Sequence, residues 1–433
     1  MIAHSPRTTR VLIRGALVRF PHLGIDRVGD VLFEPGRVLA LDPDAEQAAG
    51  AEIVDGRGRW LIPGLVDLAT RLREPGATHK ADIRSEATAA LLNGITHVVL
   101  PPDTQPVIDS TAVVELILRR AREGRGATVH VLGALTRDLG EDSLAELGAL
   151  RAAGCIAVGN IGHALGNTNL LRRALQYAAS LDLSVHLQPV DPWISAGGCA
   201  HEGRVAALQG LAGIPQTAET LALARDLMLI EESGVRAHFG RLSCARSLAL
   251  LADAKARGLP VTADVAMPQI YLNEHDVLPF RSECHLLPPL RTVADRDALR
   301  AALASGLIDA LCSDHQPHDA DAKLKPFPSS EPGASGLDSF LGLGLKLVGE
   351  GVLSVDAWLQ RCALAPRRIL GLPPPTLEQG TVPDFVLIDA VSENPLEAST
   401  MLSRGKNTPF RGWRLPGRVH LAAIADRLWI REP

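Results

Sequence analysis

Aromatic residues make up only 3% of this 433-residue chain, so the interior has to be filled by Leu, Val, Ile and Ala rather than by stacked rings. The six cysteines, Cys155, Cys199, Cys244, Cys284, Cys312 and Cys362, are scattered and form no C-x-x-C pair. That excludes a zinc knuckle and the dense disulfide framework of a small secreted domain, and predicts reduced, mostly buried thiols in a cytoplasmic protein. No uninterrupted apolar run approaches the ~20 residues of a membrane-spanning helix, and residues 1–10 have no apolar stretch of the kind a signal peptide carries. A net charge of −5 gives no basic footprint for nucleic acid. There is no low-complexity segment and no G-x-G-x-x-G turn to mark a dinucleotide-binding sheet.

What is present is an ordinary globular composition, 46% hydrophobic and 21% charged, on a chain long enough for one large domain and a smaller one. Between its ends, apolar β-branched runs at residues 96–100, 129–132, 155–158, 184–187, 261–265 and 308–312 alternate with Ala/Leu/Arg-rich stretches at 85–93, 111–123, 169–180, 216–233, 245–257 and 295–305. Repeated βα units over about 300 residues predict a parallel α/β fold, most naturally a (β/α)8 TIM-type barrel spanning residues 62–366. Strand-like runs cluster at both ends: 11–18, then 31–41 broken into a hairpin at Pro35-Gly36, and later 385–389, 417–421 and 427–430. Residues 1–61 and 367–433 are therefore expected to build one small β-sandwich domain. The Pro/Gly-rich residues 325–336 read as a long surface loop.

The segment Asp67-Leu68-Ala69-Thr70-Arg71-Leu72-Arg73-Glu74-Pro75-Gly76 resembles the D-L-H-x-H-L-R-E-P-G signature of dihydroorotase, the cyclic-amide hydrolase of pyrimidine biosynthesis in the amidohydrolase superfamily. The likeness runs along nearly the whole chain. It continues through Pro102-Asp103-Thr104-Gln105-Pro106, His201-Glu202-Gly203, Gly213-Ile214-Pro215, Ala218-Glu219, Pro288-Pro289-Leu290-Arg291, Asp314-His315-Gln316-Pro317-His318 and Lys406-Asn407-Thr408-Pro409-Phe410. The run at Asp314–His318 has D-H-A-P-H in the family. The resemblance implies a barrel whose mouth holds two zinc ions.

The positions that would hold those ions are largely lost. The two histidines of the signature fall on Ala69 and Arg71. Alanine has no donor atom, and arginine is cationic with no lone pair to offer. The bridging carboxylate position holds Asn160, and the histidine of an H-V-S-T run is Arg241. His186 is kept, but its H-C-E-D context has become His186-Leu187-Gln188-Pro189; Asp314, the family's ligand and general base, is kept as well. His238 precedes Arg241 by three residues, an odd spacing that on a strand puts it on the opposite face. Two retained ligands are too few for zinc, so neither a catalytic metal nor another cofactor is expected.

Arg73 corresponds to the residue that grips the substrate carboxylate in the family; its asparagine partner is Asp103, and the asparagine before the P-P-L-R run is Leu287. The bland readings are a satisfied structural histidine at His186, an Arg73 that holds a loop through an ion pair, and His163, His315 and His318 as ordinary loop residues. Asp314 without a metal needs compensating charge, and Arg71 or Arg241 is expected within salt-bridge reach of it. The chain thus reads as a non-catalytic dihydroorotase homologue. It resembles the bacterial relatives that lack the metal histidines and assemble with the catalytic chain of aspartate carbamoyltransferase. The alternatives are an active cyclic amidohydrolase with a rebuilt or single-metal site, and a catalytically dead ligand sensor built on Arg73.

Overall fold

Alternating apolar strands and amphipathic helices in the middle of the chain close into a barrel in the computed structural model, which describes residues 10–431. Nearly all of the segment read for a signal peptide lies outside those residues, as do the outermost ends of the two terminal segments. The barrel strands, in order, are Leu65–Asp67, Ile95–Leu100, Thr128–Ala134, Cys155–Gly159, Val185–Leu187, Ala237–Phe239, Val261–Ala266 and Ala310–Cys312, each parallel to the next. The first and eighth are joined just past their ends, where Thr70 bridges His315, Arg71 N–H donates to the His315 carbonyl at 2.9 Å and His315 N–H to the Ala69 carbonyl at 2.9 Å.

The helices between them run Ile83–Leu92, Thr111–Gly124, Thr168–Ser180, Thr217–Ser233, Ala245–Ala256 and Val293–Ser305. Two begin with reciprocal caps, Asp82 with Ser85 and Thr292 with Asp295, which satisfy amides that have no partner inside the helix. Their apolar faces pack on the outside of the barrel. Inside, a separate cluster of small and medium side chains, among them Val66, Val99, Leu132, Ala157, Ala266 and Ala310, fills the lumen. The barrel is therefore a packed core that need not unfold when no metal is held at its mouth.

The terminal strands form one hydrogen-bonded sheet: Val11–Phe20, Ile25–Glu34, Arg37–Leu41, Glu52–Asp55 and Trp60–Pro63 from the start of the chain, with Asp384–Pro395, Arg414–Ile424 and Arg427–Ile430 from its end. The sheet folds over on itself in sandwich fashion, so that Phe33 and Phe385 meet edge-on at 5.0 Å between ring centres. The segment at 325–336 departs from the surface-loop reading. Phe327, Ser330, Ala334 and Ser335 are buried, and Glu331 and Pro332 reach the barrel mouth. All six cysteines are free and buried. No helix among the described residues is long and apolar enough to cross a membrane.

Sheet and barrel are joined by a buried charge. Arg367, 1% exposed, pairs with Asp384 at 2.5 Å and donates to the carbonyls of Gly64 and Ala363 at 2.7 Å. His97 meets the same carboxylate oxygen at 2.9 Å. Burial works against the charge of Asp384, but Arg367 and His97 outweigh it and hold its carboxyl well below the usual range. Gly64 is required at this crossing, because any Cβ there would collide with Thr96 and Asp384. Arg367→Met is expected to lower unfolding free energy by about 3 kcal/mol, read by urea denaturation, because it leaves Asp384 without its guanidinium. An unchanged denaturation midpoint would remove this pair from the interface's energetics.

Candidate functional site

The C-terminal ends of the barrel strands open onto a cavity of about 520 Å³, the end at which (β/α)8 barrels carry their chemistry. Three of its defining residues sit just beyond strand ends in left-handed backbone, with φ of 62° at Arg73, 60° at Arg241 and 46° at Asp314. That conformation is uncommon for residues with a Cβ and persists where the surroundings enforce it. At Arg241 the restraint is visible: its N–H donates to the Asp264 carboxylate at 2.6 Å.

Charge at the mouth is arranged as a chain. Arg241 Nη1 reaches Asp314 Oδ1 at 2.6 Å, and Arg71 Nη1 approaches the same oxygen at 3.5 Å. The other Asp314 oxygen accepts from Gln316 Nε2 at 3.1 Å. Arg241 Nη2 donates to Gln188 Oε1 at 2.5 Å, and Arg71 Nε to Asp103 Oδ2 at 2.6 Å. Arg241 is 2% exposed and Asp314 6% exposed. Burial disfavours the guanidinium charge of Arg241, but Asp314 overrides it, and the net shift is upward. Both arginines expected to compensate Asp314 thus reach it. Asp103 does not face an incoming carboxylate as a bare negative charge, since it is bound to Arg71.

This donor set does not fit a pair of zinc ions. Asp314 is already engaged at both oxygens by cationic or amide donors. Asn160 is turned away: its Oδ1 accepts from Leu135 N–H at 3.0 Å and its Nδ2 donates to Thr136 Oγ1 at 2.8 Å. Ala69 offers nothing. Among the described residues, no group of three or more His, Cys, Asp or Glu side chains is placed to hold a metal ion.

Two histidine expectations need correction. His186 is buried, but among the described residues neither of its ring nitrogens has a hydrogen-bond partner, so it is not a satisfied structural histidine. Burial, reinforced by His238, pushes its pKa down to about 3, and the ring is neutral. His238 is not on the opposite face. It pairs in register with His186, and the two rings lie 4.9 Å apart. The sixth strand ends at Phe239, so strand alternation does not extend to Arg241. His238 is instead held by Thr262 and by Asp264, each at 2.9 Å.

Arg73 does hold a loop, but among the described residues it forms no ion pair. Nε donates to the Pro317 carbonyl at 2.9 Å, and Nη2 meets His318 Nε2 at 3.1 Å. Burial and the neighbouring Arg71 lower its pKa to about 10. His315 is structural, with its Nε2 on Glu86 at 2.9 Å and its Nδ1 accepting from Gly336 N–H at 3.1 Å. His163 and Leu287 line the cavity. Gln188 and Gln316 were not singled out as functional from the sequence. Their signal was available, because each replaces a different residue in a family motif beside a retained His186 or Asp314.

A family model described as dihydro-orotase-like matches residues 58–247. A dihydroorotase-like protein of Pseudomonas aeruginosa is 46% identical over 96% of this chain and 99% of its own length. The chain belongs to the dihydroorotase-like family. A dihydroorotase-like protein of Pseudomonas putida is 45% identical over 96% of this chain and 97% of its own, and a dihydroorotase of Anaeromyxobacter dehalogenans is 37% identical over the same shares. Among solved structures, the L-hydantoinase (dihydropyrimidinase) of Arthrobacter aurescens superposes with a TM-score of 0.85 at 21% identity, covering 96% of this chain and 95% of that one. This dihydroorotase-like chain therefore has the hydantoinase barrel with its accessory sheet.

Arg241→Met is expected to destabilise the protein by about 3–5 kcal/mol, because a buried carboxylate loses its nearest cation. The double variant Arg241→Met/Asp314→Leu is expected to recover most of that loss, since no charge is then stranded. Equal instability of single and double variants in chemical denaturation would show that the pair is not the source.

His186 makes a second case. With its folded pKa near 3 and an ordinary value of 6.5, the unfolded chain takes up the proton first on acidification. The neutral ring's contribution is complete above pH 6.5 and is lost as pH falls toward 3. Each pH unit between those values removes about 1.4 kcal/mol per such group. His186→Leu is expected to flatten the stability–pH profile by about that slope and to cost nothing at pH 7, where it removes two unpartnered nitrogens. An unaltered profile would count against the assignment.

Proposed function

We propose that this dihydroorotase-like chain is a non-catalytic, cytoplasmic protein that assembles with the catalytic chain of aspartate carbamoyltransferase and supports it in pyrimidine biosynthesis. The observation that carries the loss of catalysis is the Arg241–Asp314 pair at 2.6 Å, joined by Arg71 at 3.5 Å. A general base must be free to take a proton from an activated water. Asp314 is instead committed to guanidinium groups in the place where the family's ions would sit. The assembly role follows from the motif pattern, in which the R-E-P-G frame is intact and the metal histidines of its signature are Ala69 and Arg71. A fold whose core is independent of the metal can lose its chemistry and still present a surface.

The second reading is an active cyclic amidohydrolase with a rebuilt site. It draws on the dihydroorotase of Anaeromyxobacter dehalogenans, which is 37% identical over 96% of this chain.

One experiment separates the two. The chain is purified from its native host, the proteins that accompany it are identified, and the preparation is assayed for transferase activity, dihydroorotate hydrolysis and zinc. A carbamoyltransferase chain is expected to co-purify, with little zinc and no hydrolysis. Deleting the chain is expected to abolish or destabilise the transferase. Asp314→Asn, which keeps the shape of the acid, is expected to retain assembly and transferase activity. Hydrolysis by the wild-type protein that disappears in Asp314→Asn would establish the amidohydrolase reading.

A further inference from the structure

Two neighbouring helices carry an unpartnered face on the outside of the barrel. Thr217–Ser233 and Ala245–Ala256 come after the fifth and sixth barrel strands and lie side by side. On the first, Leu221 is 53% exposed and Met228 70% exposed. A single exposed apolar side chain is ordinary on a protein surface. These two stand two turns apart on one helix face, with Ala224 between them at the spacing of a helix-pairing seam. The next position along that seam is Glu231. On the second helix the matching stripe is Arg246, Ala249, Asp253 and, just past its end, Arg257, all exposed. The two stripes adjoin, because Arg257 reaches Glu231 at 2.6 Å and holds Asp253 at 2.9 Å.

Charge is segregated along this face. At the end nearer the barrel mouth stands Arg246, which among the described residues has no carboxylate partner. At the other end Glu231 and Asp253 share Arg257, which leaves a negative charge over. The face is therefore complementary to itself when turned end for end. The midpoint of Leu221 and Met228 falls between Ala224 and Arg225, and that of Arg246 and Asp253 between Ala249 and Leu250. Counted back from the Glu231–Arg257 contact, the two midpoints differ by about one residue, or ~1.5 Å of helix rise. One two-fold axis thus serves both helices. It places Ala224 and Ala249 near the crossing, where short side chains let helices approach closely. A parallel pairing would set each charge against its own like.

We propose that this face is an isologous interface between two copies of the chain, with Leu221 against Met228 of the partner subunit and Arg246 against Asp253 of the partner subunit. Each contact occurs twice, once on either side of the axis. Both apolar side chains are covered, and the leftover charge at each end is neutralised. The interface lies on the flank of the barrel and needs no transferase chain.

The test is sedimentation equilibrium of the purified full chain at micromolar concentrations. A species of twice the chain mass is expected. Met228→Glu and Arg246→Glu are each expected to raise its dissociation constant about tenfold or more. Arg246→Asp combined with Asp253→Arg exchanges the two charges and is expected to restore most of the association lost in Arg246→Asp alone. Orientation is read by oxidative cross-linking through added surface thiols, since the six native cysteines are buried. Leu221→Cys/Met228→Cys is expected to give a disulfide-linked dimer, and neither single variant to do so. Within one chain those positions are ~10.5 Å apart, too far for a disulfide. A monomer at every concentration would overturn the proposal. So would a dimer that Met228→Glu and Arg246→Glu both leave intact, or single-cysteine variants that cross-link as readily as the double one.

Discussion

A carboxylate buried at a barrel mouth has to be matched by positive charge, and in this chain the match is made by arginine. Asp314 sits between Arg241 at 2.6 Å and Arg71 at 3.5 Å, and the surrounding arrangement serves that contact. Asp264 holds the backbone of Arg241 in left-handed conformation and anchors His238. Gln188 takes the second Arg241 nitrogen, and Gln316 takes the second Asp314 oxygen. Asp103 balances Arg71 from the other side. Removing any single member leaves a charged or hydrogen-bonding group of this network short of its partner.

The barrel below tolerates this because it is built from its own layers. The lumen cluster of Val66, Val99, Leu132 and Ala157 is complete beneath the mouth, and the closing bridge between Thr70 and His315 runs through backbone atoms. The same logic explains how a structure at 21% identity superposes with a TM-score of 0.85. Strand and helix patterning carries the architecture, while a few strand-end residues carry the chemistry.

Elements set by local periodicity were legible in the sequence. The βα alternation marks the six helices between residues 83 and 305 described above, and the terminal strands are visible as apolar runs. The contact of Arg71 and Arg241 with Asp314 was legible too, because all three occupy positions that converge in the family. Arguments from alternation failed where a strand stopped: His238 was misplaced because the sixth strand ends at Phe239. Through-space partners were hidden as well. Nothing local to Asp103 announces Arg71, 32 residues away, and nothing in the residues at 325–336 announces that Phe327 and Ser330 would be buried. A buried histidine is usually satisfied, yet among the described residues both nitrogens of His186 lack partners.

The arginine-for-ion exchange also bears on reversibility over evolutionary time. Restoring histidine at Arg241 alone would leave Asp314 short of a cation, with too few ligands to bind zinc in compensation. Restoring histidine at Arg71 alone would release Asp103. Each first step back toward a metal centre crosses a destabilised intermediate, because neighbouring charges in one network are coupled rather than additive. The site thus acts as an epistatic ratchet: with these guanidiniums in place, a histidine-lined metal centre is separated from this sequence by several simultaneous changes.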